Sequence, residues 1–179
     1  MQPQHNSKIQ ILPEHIIDQI KAGEVIERPS TLLKELLENS IDAGATKVSI
    51  EIINNGMDLI VVKDNGSGMD SDDLELAFLR HATSKIERFE DIYNLYSYGF
   101  RGEALASMAS VSRITCVTNK INKPKCTIKI NGAEVESIDK DKKNSKDSRT
   151  EIFIKDLFFN TPARLKFIKS KTAEKNQLQ

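Results

Sequence analysis

Residues 46–53 alternate without a break: Val48, Ile50 and Ile52 fall on one side of the chain, and Lys47, Ser49 and Glu51 on the other. A side-chain period of two belongs to a half-buried β-strand, and a helix cannot present it. Asn55-Gly56 follows as a turn signal, and Leu59 to Val62 reads as a second, more fully buried strand. Strands joined by a short turn are antiparallel neighbours. The chain must therefore build a sheet, and the apolar face of that sheet needs a cover.

The cover stands just upstream. A helix is predicted from about Ser30, a fair N-cap, to Ala43, with Gly44 at the C′ position. Leu32, Leu33, Leu36, Leu37 and Ile41 form its apolar face, while Glu35, Glu38, Asn39 and Asp42 share the opposite one. A shorter helix over 14–22 places Ile16, Ile17 and Ile20 together and stops at Gly23. Ser71, Asp72 and Asp73 open another, with Leu74, Ala77 and Phe78 inward. Residues 81–103 are polar, carry Gly99 and Gly102, and read as a mobile loop; a small-residue helix follows at about 103–110. Strands are predicted at 112–118, 126–131, 133–138 and 150–155, with a hairpin turn at Asn131-Gly132 and a charged, solvated loop over 139–149. Thr161-Pro162 starts a last helix with Leu165 and Ile168 inward. The fold class is α+β: a two-layer sandwich of a mostly antiparallel mixed sheet with helices on one face.

Several function classes drop out. Cys116 and Cys126 make no disulfide framework and no Cys-x-x-Cys pair, which points to a reduced compartment. His5, His15 and His81 lack zinc-ligand spacing. No run is apolar enough to span a membrane, and Met1 to Gln10 is polar, so a cytoplasmic or nuclear location is expected. No Gly-x-x-x-x-Gly-Lys-Ser/Thr loop is present, and a dinucleotide fingerprint starting at Gly66 fails where Ser71 replaces the third glycine. The formal net charge is zero, yet residues 1–90 hold 9 basic and 16 acidic side chains and residues 91–179 hold 17 and 10. Such a split hints at two surfaces with different partners.

Four places could carry chemistry. Glu35 and Asn39 sit one helical turn apart: a carboxylate can take a proton from water, and an amide oxygen can ligate a hard cation, although spacing alone describes a solvated polar face equally. Asp64 precedes Gly66 and Gly68; it can accept from an exocyclic amino group while the glycines admit a flat ring, but Asp-Asn-Gly is also an ordinary turn. Gly99 and Gly102 before a helix read as a phosphate site or a loop hinge. Thr150 enters a late strand, where threonine is a common β-former.

The order of these elements resembles the N-terminal ATPase domain of the MutL family of DNA mismatch repair proteins, within the superfamily of gyrase, the large heat-shock chaperone and histidine kinases. The matching runs are Ala22-Gly-Glu-Val-Ile-Glu-Arg-Pro29, Lys34-Glu-Leu-Leu-Glu-Asn-Ser-Ile-Asp-Ala-Gly-Ala-Thr46, Asp64-Asn-Gly-Ser-Gly68, Arg80-His-Ala-Thr-Ser-Lys85, Gly99-Phe-Arg-Gly-Glu-Ala-Leu-Ala-Ser107 and Asn160-Thr-Pro-Ala-Arg164. The resemblance implies the Bergerat-type ATP-binding fold across 1–179, with ATP and Mg²⁺ as ligands. It implies Glu35 as the general base, Asn39 as the Mg²⁺ ligand, and Asp64 as the adenine anchor with Gly66, Gly68 and Thr150 around it. Residues from about 70 to 105 would be the lid. Gly99, Phe100, Arg101, Gly102, Glu103, Ala104 and Leu105 would supply phosphate contacts, with Thr83 and Ser84 as further candidates.

The implied partners are a mismatch-recognition protein of the MutS type, a second copy on ATP binding in the full-length protein, and DNA. Lys120, Lys123, Lys125, Lys129, Lys155, Arg164, Lys166 and Lys169 are candidates for a non-specific phosphate surface, with solvated lysines as the plain alternative. Two other functions remain open here: a DNA- and partner-binding matchmaker with marginal hydrolysis, and another branch of the superfamily. No helical phosphoacceptor segment surrounds any histidine, which argues against a kinase; the runs at 99–107 and 160–164 argue against a topoisomerase.

The chain departs from the family at Arg149-Thr150, where Gly-Thr is usual, and in its charged 139–149 segment. The family also continues into a second subdomain that supplies a lysine to the terminal phosphate, and into a C-terminal dimerisation domain. The sequence therefore reads as a fragment, in which nucleotide binding is expected to outlast turnover.

Overall fold

The structure is a computed structural model that describes residues 25–79 and 103–165, together with Leu12, Pro13, Ile17, Ile20, Ala22 and Ile168. Among the described residues, six strands form one open sheet: β1 (Val48–Ile53), β2 (Leu59–Asp64), β3 (Arg113–Asn119), β4 (Pro124–Asn131), β5 (Glu134–Asn144) and β6 (Arg149–Lys155). Their order is β1-β2-β6-β3-β4-β5, and all five pairings are antiparallel. The helices are α1 (Pro29–Asp42), α2 (Ser71–Ala77), α3 (Ala104–Ser110) and the short α4 (Pro162–Leu165). The first three pack on one face of the sheet, where Ile60, Val62, Ile114, Cys116, Ile128, Ile130, Ile152 and Ile154 meet Leu32, Leu36, Leu74 and Met108 in one buried cluster. The expected helix-on-sheet sandwich is present. The opposite face of the sheet carries the exposed Glu51, Lys63, Arg113, Lys129 and Lys155.

The alternation that opens the sheet behaves as expected. Val48, Ile50 and Ile52 share the helix side, although Ile50 stays partly exposed because β1 is an edge strand. The turn at Asn55-Gly56 is larger than a two-residue hairpin. Ile53 pairs with Leu59, and a short 3-10 turn over Asn54–Gly56 carries three successive positive φ angles, 50°, 53° and 82°. At the other hairpin Asn131 pairs with Glu134, and Gly132 and Ala133 both take positive φ, as a two-residue turn of the primed type requires.

Three boundaries differ from the sequence reading. α1 begins one residue before Ser30: Pro29 occupies the first turn and Arg28 is the N-cap, with no side-chain cap. Proline is suited to that position because the missing N–H has no helical partner there. In the first segment, Val25 is still helical and the Ile26 N–H donates to the Ala22 carbonyl, beyond the stop expected at Gly23; Gly23 and Ile16 themselves lie outside the described residues. The charged stretch 139–149 is not all loop, since β5 runs on to Asn144, with Thr127 opposite Asp139 and Pro124 opposite Asn144. β5 is the sheet's other edge and most of it is exposed, so its strand character carries no apolar periodicity. Its charges suit an edge that must not recruit another strand.

The apolar seam of α1 also differs. Pro29, Leu32, Leu33, Leu36 and Ser40 are buried, whereas Ile41 is 55% exposed. The spacing of i, i+3, i+4, i+7 and i+11 is a regular helical stripe whose last place is taken by a serine. Leu165 is likewise exposed on α4, while Ile168 packs against the core.

The run around residue 160 has a structural task. Asp156 and Phe158 adopt φ of 52° and 65°, and Phe158 is fully buried. A bulky residue in this left-handed region is uncommon and needs support from its surroundings. The Phe158 N–H donates to the Val111 carbonyl at 2.7 Å, Asn160 Nδ2 to the Ser110 carbonyl at 2.8 Å, and Arg164 Nη1 to the Ile26 carbonyl at 3.0 Å. These bonds tie the end of α3 and the start of the chain to the segment after β6.

Candidate functional site

Four of the candidate residues, Asp64, Gly66, Gly68 and Thr150, come together where β2 ends. Asp64 is the last residue of β2, half-buried, directly opposite Thr150 on β6, which is opposite Thr118 on β3. All three side chains fall on the helix side of the sheet. α1 reaches the same point through Ser40, whose Oγ lies 3.0 Å from Asp64 Oδ2 and 3.1 Å from the Leu36 carbonyl, so its single proton is shared between two acceptors. The other carboxylate oxygen, Oδ1, accepts the Gly66 N–H at 2.9 Å. Asp64 is thereby held from two sides in one orientation. Ser40 is the residue that sequence reasoning missed; the signal was a polar residue on the seam of an otherwise apolar helical stripe.

The loop after Asp64 is fixed by its own side chains. Asn65 Oδ1 accepts the Thr46 and Lys47 N–H groups at 2.9 and 2.8 Å, and its Nδ2 donates to Thr46 Oγ1. Gly66 is pressed against the end of α1, where an added Cβ would lie 2.8 Å from Ala43 Cβ. Gly68 adopts φ +66°, and a Cβ there would overlap the Asn119 carbonyl oxygen and come within 2.7 Å of its carbon. The space beside both glycines is thus filled by protein, and they are required for the loop to close on α1 and β3.

Beyond Gly68 the chain is caught by the end of β3. The Met69 N–H donates to Thr118 Oγ1, and Lys120 pairs with Asp70 and Asp73 at the start of α2. Asp70 caps α2 through the Asp73 N–H. That bond first, and then the Lys120 ammonium, hold the Asp70 carboxyl below its ordinary value, while the two carboxylates raise the pKa of Lys120. Burial, with a smaller contribution from the charge of Asp64, pushes the Cys116 thiol up. Both cysteines are buried strand residues with raised thiol pKa values, so thiolate chemistry has no footing here.

Glu35 and Asn39 lie on α1, half-buried, each with an interaction partner. Glu103 is the N-cap of α3, and Ala104 and Leu105 are its first, half-buried residues. Thr83, Ser84, Gly99, Phe100, Arg101 and Gly102 lie outside the described residues. Arg149 is exposed and extended rather than left-handed; it starts β6 opposite Asn119 and reaches Glu151. The site's turn therefore does not need the glycine usual at that place.

No group of three or more His, Cys, Asp or Glu that could hold a metal occurs among the described residues.

Among the described residues, the six basic candidates are not gathered on one face. Lys120 and Lys125 are paired with Asp70, Asp73 and Asp141, Lys123 is exposed, Arg164 donates to the Ile26 carbonyl, and Lys129 and Lys155 lie on the open face of the sheet. Lys166 and Lys169 lie outside the described residues. A cavity of about 420 Å³ lined by Met57, Leu157, Phe159 and Leu165 lies at the opposite end of β2, and its described lining includes none of the candidate residues.

Residues 27–157 match the family described as histidine kinase-, DNA gyrase B- and HSP90-like ATPases. The chain belongs to that family. It is 51% identical over 168 residues to the DNA mismatch repair protein MutL of Thermosipho africanus (94% of this chain, 29% of the relative), and 51% identical over 164 residues to MutL of Halothermothrix orenii (91% and 25%). Among solved structures it is similar to the N-terminal domain of a DNA repair protein, with a TM-score of 0.72 at 27% identity over 90% of this chain and 46% of that one. It is also similar to the Aquifex aeolicus MutL ATPase domain complexed with ADP, with a TM-score of 0.61 at 32% identity over 86% and 52%. The resemblance drawn from the motifs is borne out, and the chain carries an ATPase domain of this family. It spans about a quarter to a third of the length of these curated relatives. Among the described residues no helix is long and apolar enough to cross a membrane.

Proposed function

We propose that this domain binds ATP with Mg²⁺ at the end of β2 and hydrolyses it, as the nucleotide-driven switch of a MutL-like mismatch repair protein. The observation that carries the reading is Asp64, a carboxylate held from both sides by Ser40 and Gly66 beside Thr150. Such a carboxylate accepts an exocyclic amino group and so reads an adenine edge. Glu35 orients water and takes its proton; Asn39 offers an amide oxygen to Mg²⁺, which when bound neutralises charge on the phosphates. Gly66, Gly68 and Thr150 shape the base pocket. Residues from about 70 to 105 form the lid, with Gly99 to Leu105 as phosphate donors and Thr83 and Ser84 beside them.

The Aquifex aeolicus relative with bound ADP supports the ligand class, and the mismatch repair relatives support the process. In the whole protein, nucleotide binding would order the lid and drive self-association, linking a MutS-type partner and DNA to downstream repair in the cytoplasm of a bacterium or a eukaryotic nucleus. DNA contact would be non-specific and run through the basic half of the chain.

The test is titration of ATP and of a non-hydrolysable analogue, with Mg²⁺, against the wild type, Asp64→Asn and Glu35→Ala. Asp64→Asn is expected to lose binding, and Glu35→Ala to bind without turnover. Wild-type affinity in Asp64→Asn would falsify the adenine assignment.

A further inference from the structure

Thr118 stands behind the base pocket and has no role in the reading above. It is fully buried, and its Oγ1 makes three contacts: it accepts the Met69 N–H at 2.9 Å, donates to the Arg149 carbonyl at 3.0 Å, and lies 3.1 Å from Thr150 Oγ1. A hydroxyl has one proton and two lone pairs. Either threonine can be the donor in that contact, but the Arg149 carbonyl can only accept; with the Thr118 proton on Arg149 and one lone pair taken by Met69, the remaining lone pair is open to the Thr150 O–H. In that arrangement the Thr150 proton is turned away from the pocket, and its oxygen acts there as an acceptor. Asp64, directly opposite Thr150, is an acceptor too.

We propose that Thr118 is a positioning residue that sets base specificity: it makes the Asp64–Thr150 wall acceptor-only, so that the wall takes an amino-bearing purine edge and rejects a 6-oxo purine. The same hydroxyl anchors Met69, the residue before the N-cap of α2, so it also fixes the start of that helix. This rests on the nucleotide reading above and adds the residue that enforces it. Asp64 is half-buried and Thr150 buried, so a 6-oxo group facing two acceptors leaves polar atoms poorly paired.

The experiment measures ATP and ITP affinities by competition against a fluorescent ATP analogue, for the wild type, Thr118→Val, Thr118→Ser and Asp64→Asn. Thr118→Val keeps the shape and frees the Thr150 hydroxyl to turn. It is expected to weaken ATP about tenfold (~1.4 kcal/mol) while ITP changes little, so that the ATP preference narrows. Thr118→Ser is expected to restore both affinity and preference. Equal weakening of ATP and ITP would mark a merely structural residue and overturn the proposal, as would wild-type behaviour of Thr118→Val. If Thr118→Val does not fold, Thr118→Cys, whose thiol bonds weakly, carries the same expectation. Failure of the wild type to bind ATP, or unimpaired binding by Asp64→Asn, would remove the nucleotide site itself; that result differs from an intact ATP preference in Thr118→Val.

Discussion

Replacing Gly68 by alanine separates backbone strain from a steric clash, because Gly44 supplies the control within the same chain. Both glycines are left-handed, Gly68 at φ +66° and Gly44 at φ +73°. An L-residue in that region loses about 1–2 kcal/mol, and the stiffer unfolded chain returns about 0.4–1 kcal/mol, so conformation alone costs ~1 kcal/mol at either site. At Gly44 nothing lies within 4 Å of an added Cβ, and the cost should end there. At Gly68 the methyl overlaps the Asn119 carbonyl oxygen and meets the Arg149 carbonyl at 3.2 Å. Asn119 and Arg149 face each other across the β3–β6 ladder, so neither carbonyl can yield without opening the end of the sheet. Forcing a methyl into packed surroundings adds about 1–3 kcal/mol. Gly68→Ala should therefore lose roughly 2–4 kcal/mol, and Gly44→Ala about 1 kcal/mol. Urea unfolding monitored by circular dichroism measures both, with an unchanged slope required for the comparison. Two variants within about 0.5 kcal/mol of each other, the scatter of ordinary surface changes, would refute the clash and with it the account of why this loop needs glycine.

Two further outcomes concern the groups around Asp64. Ser40→Ala removes one of the two donors holding the carboxylate, so ATP affinity should fall about fivefold (~1 kcal/mol for one such bond) with little change in urea midpoint, since alanine is the better helix former by roughly 0.5 kcal/mol; unchanged affinity by calorimetry would mean that Gly66 alone orients Asp64. Asp70 has its pKa depressed in the folded chain by the Asp73 N–H and Lys120, so its stabilisation is present above the unfolded value and lost as pH falls through the lower folded one. The melting-temperature gap between wild type and Asp70→Ala should be constant near neutrality and narrow below about pH 4; a gap that widens on acidification would contradict that sign.

Local patterns carried much of the fold. The alternation at 47–52, the Asn131-Gly132 turn, the inward Leu74 and Phe78, and Thr161-Pro162 at the start of α4 all stand where side-chain period and turn chemistry put them. Errors fell where a neighbour in space outweighs the local pattern. Ser40 replaces Ile41 on the buried seam because Asp64, 24 residues away, supplies its partner. The end of β5 is a strand because β4 pairs with its backbone, which charged side chains neither require nor forbid.

The candidate site divides in the same way. By itself, the sequence determined which groups were available: a carboxylate after a strand, glycines where only glycine fits, and a second carboxylate and an amide one helical turn apart. Those follow from short-range sterics and from recurring motifs, which a linear chain carries in full. Only the tertiary structure decided which partners orient them. The insertion of β6 between β2 and β3 brings Thr150 between Asp64 and Thr118, and the close approach of α1 puts Ser40 on the carboxylate. These contacts join residues 24 to 86 positions apart, and spacing along a chain holds no information about which of its distant hydroxyls will share a proton.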